Sequence, residues 1–248
     1  MSFNISFKPQ SSFELIRCGR DFDGGYLLTK KTIKETDILV SFGILDDCSF
    51  EDEFLKINPI KALCYDHTVN NSYWKKRFFN DLGASIYNFN FKFFKNTLTR
   101  YFQFKKFFKS PTNFLKIETI KKGSLRSIIT ENNLKKKIFL KIDIEGSEYR
   151  ILDDILTYQD KLSGAVIEFH DVDINKKIIS KFIGDFDLIL THIHPNNFGG
   201  VDEFGDPLVI EMTFEKNPEI NNKEFLLPNE FDQPNNPNNN DITLKFEQ

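Results

Sequence analysis

A doubly wound α/β fold with a mostly parallel sheet is what this sequence predicts, and three observations carry the prediction. Short apolar runs of strand length recur along the chain, and segments with helical spacing lie between several of them. The third is length: 248 residues suit one large domain with a well-buried core. Alternating strands and helices imply crossover units on a common sheet.

The first run, DILVSF at 37–42, ends in GILDDCSFEDEF, where Gly43 permits a tight turn before a helix beginning around Ser49. Ser49 and Asp52 have capping-box spacing, and FEDEFLKI continues the helix. KALCY at 61–65 forms the next strand, followed by the helical segment YWKKRFFNDL. Further strands are KIFLKI at 137–142, GAVIEF at 164–169, FDLILTHI at 186–193 and PLVIEMTF at 207–214. EYRILDDILTYQ and INKKIISKFI supply helices between them.

Two regions break this rhythm within the single domain of residues 1–248. From 82 to 117 there is no acidic residue, while seven basic residues alternate with many phenylalanines. An insertion at about 88–117 follows, read in two ways. One is an amphipathic helix with Leu98, Tyr101, Phe102 and Phe108 on its packed face; the other is a lid or docking surface for an anionic substrate. The second region, about 215–241, is rich in Asn and Pro and reads as an irregular excursion, after which ITLKFEQ alternates like a short edge strand.

Thirty-three basic and 36 acidic residues give a net charge of −3, which excludes bulk nucleic-acid binding by the whole protein. Cys18, Cys48 and Cys64 are odd in number and lack C-x-x-C spacing, so neither a disulfide framework nor a thiolate zinc site is expected. A reducing cytoplasm fits this best. No run of about 18 apolar residues marks a transmembrane segment, although peripheral membrane contact stays open.

In open α/β sheets ligands bind beyond the carboxyl ends of the strands. The turn at Gly43 offers one glycine where a nicotinamide dinucleotide would want three, and Asp46, Asp47 and Glu51 beside it would repel a diphosphate. They would favour a cationic ligand, and S-adenosylmethionine carries a sulfonium and an ammonium. Asp66, 23 residues after Gly43, has the spacing of a ribose ligand or of a plain strand-end turn. Upstream, DFDGGYLL reads as a hairpin turn.

The segment FLKIDIEGSEYRIL resembles the signature of the FkbM-type methyltransferases, whose fourth strand ends in K-I-D-x-E-G-x-E. Lys141, Ile142, Asp143, Glu145, Gly146 and Glu148 occupy its fixed positions. GRDFDGGYLL, VSFGILDDCSFE, GSLRSII and VIEFHD fall in the expected order around it, so the resemblance spans roughly 17–214. It implies a Rossmann-like class I methyltransferase that uses S-adenosylmethionine to methylate a carbohydrate hydroxyl. Such a sugar would be nucleotide-activated or lipid-linked and destined for a surface polysaccharide such as capsule. It also implies that Asp23, Gly25, Tyr26, Gly43, Asp47, Phe50, Glu51 and Asp66 line the cofactor. The basic aromatic segment and the Asn/Pro-rich tail have no counterpart in that pattern.

Methyl transfer to a hydroxyl is an in-line displacement that needs positioning and either a general base or a metal. Asp143, at a strand terminus, is placed at the reaction centre, with Glu145 at its edge and Glu148 at a helix start. Three of the four histidines follow predicted strand ends. His170, in EFHD, is the first choice as base and His194, in THIHPNN, its competitor. Alternatively Asp143, His170, Asp171 and His194 would hold Mg2+ or Mn2+. Two other functions stay open: a nucleotide-sugar oxidoreductase with a nicotinamide cofactor, and a noncatalytic glycan- or membrane-associated module. A homodimer is compatible with either.

Overall fold

A computed structural model describes residues 3–247, so Met1, Ser2 and Gln248 of the expected 1–248 domain lie outside the described residues. The chain opens with an antiparallel hairpin, β1 (Leu15–Cys18) and β2 (Tyr26–Thr29), whose connection contains the expected D-G-G turn. Then α1 (Lys30–Glu35) leads to β3 (Ile38–Phe42), and α2 (Ser49–Ile57) to β4 (Lys61–Tyr65). Two helices, α3 (Asn71–Tyr87) and α4 (Lys92–Phe107), precede β5 (Asn113–Lys116). The second half runs α5 (Ser124–Glu131), β6 (Ile138–Ile142), α6 (Leu152–Thr157), β7 (Leu162–Phe169), α7 (Val172–Asp185), β8 (Ile189–Pro195) and β9 (Ile210–Glu215).

Seven of these strands form one sheet in the order β5-β4-β3-β6-β7-β9-β8. All pairs are parallel except those of β9, which runs antiparallel to β7 and β8. The sheet is the doubly wound, mostly parallel one that the sequence predicts. Helices cover both faces, which is why β3, β6 and β7 are buried at every position and read as continuous apolar runs rather than alternating ones. One core lies under α5, α6 and α7, built on Val40, Phe42, Leu140 and Ile167. The other lies under α2, α3, α4 and the hairpin, built on Leu39, Phe139, Val166 and Phe54.

Four local expectations are corrected. Ser49 does not cap α2: its hydroxyl accepts the Arg20 N–H at 3.1 Å, while Asp47 accepts the Ser49 N–H at 3.0 Å. The helix expected over EYRILDDILTYQ breaks into a 3-10 turn (Glu148–Arg150), α6 and a second 3-10 turn, because Ile151, at φ −116°, leaves helical geometry. Among the described residues, ITLKFEQ contributes one bridge, Phe246 to Phe3, outside the sheet. On α4 the packed face carries Phe104 and Phe107, with Leu98, Tyr101 and Phe108 half-buried, whereas Phe102 points to solvent. The basic aromatic segment thus forms a helix and an edge strand, and its helix pairs with α3.

Candidate active site

Strand register places six residues in one row across the sheet. Phe42 stands opposite Tyr65 and Ile142, and Ile142 opposite Ile167, so Gly43, Asp66, Asp143 and Glu168 sit together one residue further on. Glu168 then faces Glu211 of β9, and Glu211 faces His194 of β8. Because side chains alternate along a strand, the row shares the face covered by α2, α3, α4 and the hairpin. Strand order reverses between β3 and β6, so the row crosses the topological switch point, where open α/β sheets bind ligands.

Gly43 makes the expected tight turn, and close packing adds a second need for glycine there. Its φ is +76°, and a Cβ would lie 1.6 Å from the Asp143 carbonyl oxygen. What approaches the glycine is the backbone of the next strand. Lys141 ties the two together, its ammonium donating to the Gly43 carbonyl at 2.5 Å and to the Asp143 carboxylate at 3.2 Å. Burial opposes the Lys141 charge, but Asp143, Glu51 and Glu168 outweigh it and hold the amine charged.

A cavity of about 580 Å³ opens over this row. On one side it is lined by Asp23, Tyr26, Gly43, Asp47, Phe50, Glu51 and Asp66; Gly25, also expected there, does not reach it. The acidic turn is less negative than its sequence implies. Asp46 is held by Arg77 at 2.5 Å and Arg100 at 2.9 Å, and Asp47 by Arg20 at 2.8 Å. Glu51 is buried against the Ser41 hydroxyl, and burial raises its pKa. Each of these groups has an internal partner, which tempers the attraction for a cationic ligand expected of them while they still line the cavity. Asp66 accepts the Leu45 N–H at 2.8 Å through one oxygen, and the Thr68 N–H and hydroxyl through the other. Burial works against its charge, yet these donors keep its pKa below the ordinary value. The oxygen facing Leu45 retains a lone pair for a further donor.

On the other side lie Asp143, Glu145, Glu168 and His170. His170 follows β7, and three carboxylates surround its ring. Glu148 is 3.3 Å from Nδ1, Glu168 3.4 Å and Glu145 3.5 Å from Nε2. Glu148 also accepts the His170 N–H at 2.8 Å, so the carboxylate that opens the 3-10 turn, as expected of a helix start, fixes the histidine as well. Burial opposes charge on the imidazole, but Glu148 and Glu168 prevail and its pKa is pushed up to about 11. The pairing favours the cationic, donating ring, so a role as general base would require His170 to give up this proton first. Since the folded value exceeds the unfolded one of about 6.5, this pairing stabilises the fold fully below that value and is lost as pH rises through about 11. A proton–nitrogen NMR correlation is expected to show both ring nitrogens of His170 protonated up to about pH 9; a neutral ring at pH 7 would contradict the ion-pair geometry.

Glu168 has the opposite balance. Burial and the Asp143 charge raise its pKa to about 7, against the lowering influence of His170. Asn196 donates to it at 3.2 Å and the Tyr26 hydroxyl at 3.4 Å. It is a cavity-facing carboxylate able to exchange a proton near neutrality.

The far half of the row is roofed over. His194 lies inside β8 rather than beyond it, and the Asn/Pro-rich segment covers it, bringing Asp232 within 3.5 Å of Nδ1 and 2.9 Å of the neighbouring His192. Glu211 is closed off by Asn235 at 2.6 Å. His194 is therefore corrected as base and as metal ligand. Asp171 is exposed, in left-handed conformation before α7, and is outside the group whose donor atoms converge. Among the described residues, the group spaced to share an ion is Asp143, Glu168 and His170, whose donor atoms lie within 4.8 Å of one another. The sequence places Lys141 in the signature and Glu168 in EFHD but assigns neither a role; the signal of a role is a charged residue inside a continuous apolar strand, since such positions are buried on both faces.

A seven-stranded, mostly parallel sheet with β9 inserted antiparallel between β7 and β8 is the fold of the Rossmann-like class I methyltransferases. The sequence profile described as the methyltransferase FkbM domain matches residues 89–222, more than half of the chain, and the protein belongs to that family. No curated protein sequence matches it. Among solved structures, an rRNA methylase from Streptococcus thermophilus is 12% identical with a TM-score of 0.41, over 75% of this chain and 90% of its own. Precorrin-6y C5,15-methyltransferase from Geobacter metallireducens is 15% identical with a TM-score of 0.41, over 75% and 84%. TrmK of M. capricolum, in complex with S-adenosyl-homocysteine, is 13% identical with a TM-score of 0.39, over 79% and 69%.

Proposed function

We propose that the protein transfers the methyl group of S-adenosylmethionine to a hydroxyl of a carbohydrate, with Glu168 as proton acceptor. One observation carries this reading. Gly43 and Asp66 on the donor side stand in the same row, across one cavity, as Asp143, Glu168 and His170. Asp66 takes a ribose hydroxyl, and Tyr26 and Phe50 pack along the donor. Asp143 orients the acceptor hydroxyl. Its oxygen attacks the methyl carbon, the carbon–sulfur bond breaks with its electrons left on sulfur, and the hydroxyl proton passes to Glu168. The cations Lys141 and His170 offset the negative charge that develops on oxygen. Glu145, at the mouth, contacts the part of the acceptor that stays outside. Carboxylates and the Asn196 amide suit a polyol, which offers several hydroxyl donors and acceptors. The sugar would be nucleotide-activated or lipid-linked, for a surface polysaccharide such as capsule. Three free, buried cysteines suit a reducing cytoplasm.

A nicotinamide cofactor is disfavoured, because the single glycine turn is filled by the Asp143 backbone and leaves no cradle for a pyrophosphate. A second reading has support from the spacing of Asp143, Glu168 and His170, which suits a hard divalent ion with oxygen and imidazole donors. Mg2+ or Mn2+ there would supply the stabilisation of the alkoxide, and His170 would first give up a proton. Loss of activity in EDTA, restored by Mg2+ alone, would favour this reading; unchanged activity favours the metal-free one.

Titration calorimetry with S-adenosylhomocysteine tests the donor side. Asp66→Ala is expected to weaken binding at least about tenfold, the cost of a hydrogen bond to a charged group. Thr68→Ala, which removes one loop hydrogen bond only, is expected to change affinity less than about threefold. Equal losses in both would make Asp66 a loop residue, and silence in the unsubstituted protein at millimolar ligand would sink the donor assignment.

A further inference from the structure

We infer that the hairpin of α3 and α4 docks the protein on an anionic lipid bilayer, its aromatic tip entering the interface and its lysines meeting the headgroups. This surface is separate from the catalytic reading and does not depend on it.

The two helices run antiparallel, with Trp74 packed on Tyr101, Phe78 on Phe94, and Thr97 bonded to Asp81. Each is about 25 Å long at 1.5 Å per residue. The root of the hairpin belongs to the fold: Trp74, Phe104 and Phe107 are buried in the core, and Arg77 and Arg100 grip Asp46 beside the cavity. The tip does the opposite. Phe89 is 93% exposed and Tyr87 85% exposed, and Phe91 and Phe93 beside them are exposed as well. The turn is nevertheless ordered, since Asn88, Phe89 and Asn90 donate backbone hydrogen bonds to Ala84, Ile86 and Ser85. Four large rings at an ordered tip leave apolar area in water that a monomer in free solution would gain by covering.

Charge selects the occupant. Residues 71–117 carry ten Lys and Arg against one Asp, a net +9, so the rest of a chain of net −3 carries −12. Lys92 and Lys95 are exposed beside the rings, and Lys75 and Lys76 are exposed nearer the root, along the same hairpin. Both arginines of the segment turn inward onto Asp46, and every exposed cation is a lysine. Lysine is a point charge suited to the diffuse field of a headgroup layer, whereas paired phosphate recognition on a nucleic acid favours the arginine fork. Aromatic rings ringed by lysines match an interface with an apolar interior and an anionic surface.

The test is co-sedimentation of the full chain with vesicles of phosphatidylcholine alone or with about 30% phosphatidylglycerol. Binding is expected to the anionic vesicles only, and to weaken at least about tenfold between about 0.1 and 0.5 M salt. Lys75→Glu with Lys92→Glu and Lys95→Glu is expected to weaken it about a hundredfold or more, and Phe89→Ser with Phe91→Ser at least about tenfold. These positions are exposed, so unchanged circular dichroism melting confirms that the variants fold. Phe89→Trp gives a direct probe whose emission is expected to move to the blue on anionic vesicles. Three results would overturn the inference: no preference for anionic vesicles, binding to single-stranded RNA without binding to vesicles, or a dimer in sedimentation that Phe89→Ser with Phe91→Ser dissolves while vesicles stay unbound.

Discussion

Gly43→Ala is expected to abolish soluble expression or to lower stability by more than about 4 kcal/mol, well beyond the ordinary range for one substitution. Two strains act together. An alanine there must keep a φ of +76°, and its Cβ would sit 1.6 Å from the Asp143 carbonyl oxygen, a contact that only movement of β3 relative to β6 could relieve. Gly123→Ala separates the two terms, because Gly123 also has a positive φ, +84°, but nothing lies within 4 Å of its Cβ position. That variant should lose only about 1 kcal/mol. Urea unfolding of both decides the matter; comparable stability of the two would show that the packing of Gly43 against the neighbouring strand has been misjudged.

Glu168→Gln is expected to lower the rate of methyl transfer by about a hundredfold to ten-thousandfold, the span of a lost general base, while S-adenosylhomocysteine affinity stays within about threefold. The substitution keeps shape and a hydrogen-bonding oxygen, so a purely structural role would leave the rate almost intact. Titration adds a second readout. Glu168 must be ionised to take a proton, so with a pKa raised to about 7 the rate should climb as pH rises through that value and fall about tenfold per unit below it. In the glutamine variant that limb should vanish. An unchanged rate, or an unchanged limb, would move the role to Asp143.

The strands of this fold were legible because a buried parallel sheet writes itself as apolar runs of fixed length, and six of its seven strands fall where those runs do. β5 was not, because Asn113–Lys116 is a half-buried edge strand inside a basic segment and lacks the apolar signature. The near half of the polar row was readable in part: Asp66 through its spacing from Gly43, Asp143 through its place at a strand end. His194 was misread because the same strand-end logic holds for it in the row, yet a segment of low periodicity folds back and brings Asp232 onto it. Nothing in a linear pattern tells which strand ends stay open. The histidine charge was equally hidden, since it depends on Glu148, which is 22 residues away in sequence and at hydrogen-bond distance in space. The sequence does not show that the acidic residues at 46, 47 and 51 are held, because their partners, Arg77, Arg100, Arg20 and Ser41, come from other elements.

The most direct test of the central claim follows a labelled methyl group from S-adenosylmethionine into a panel of nucleotide sugars, with the unsubstituted protein and Glu168→Gln side by side, with and without EDTA. The account predicts label on a sugar hydroxyl with the unsubstituted protein, as an ether stable to mild base, and its loss with Glu168→Gln while S-adenosylhomocysteine still binds. Label transferred equally by both proteins, or found on nitrogen or carbon of the acceptor, would contradict it.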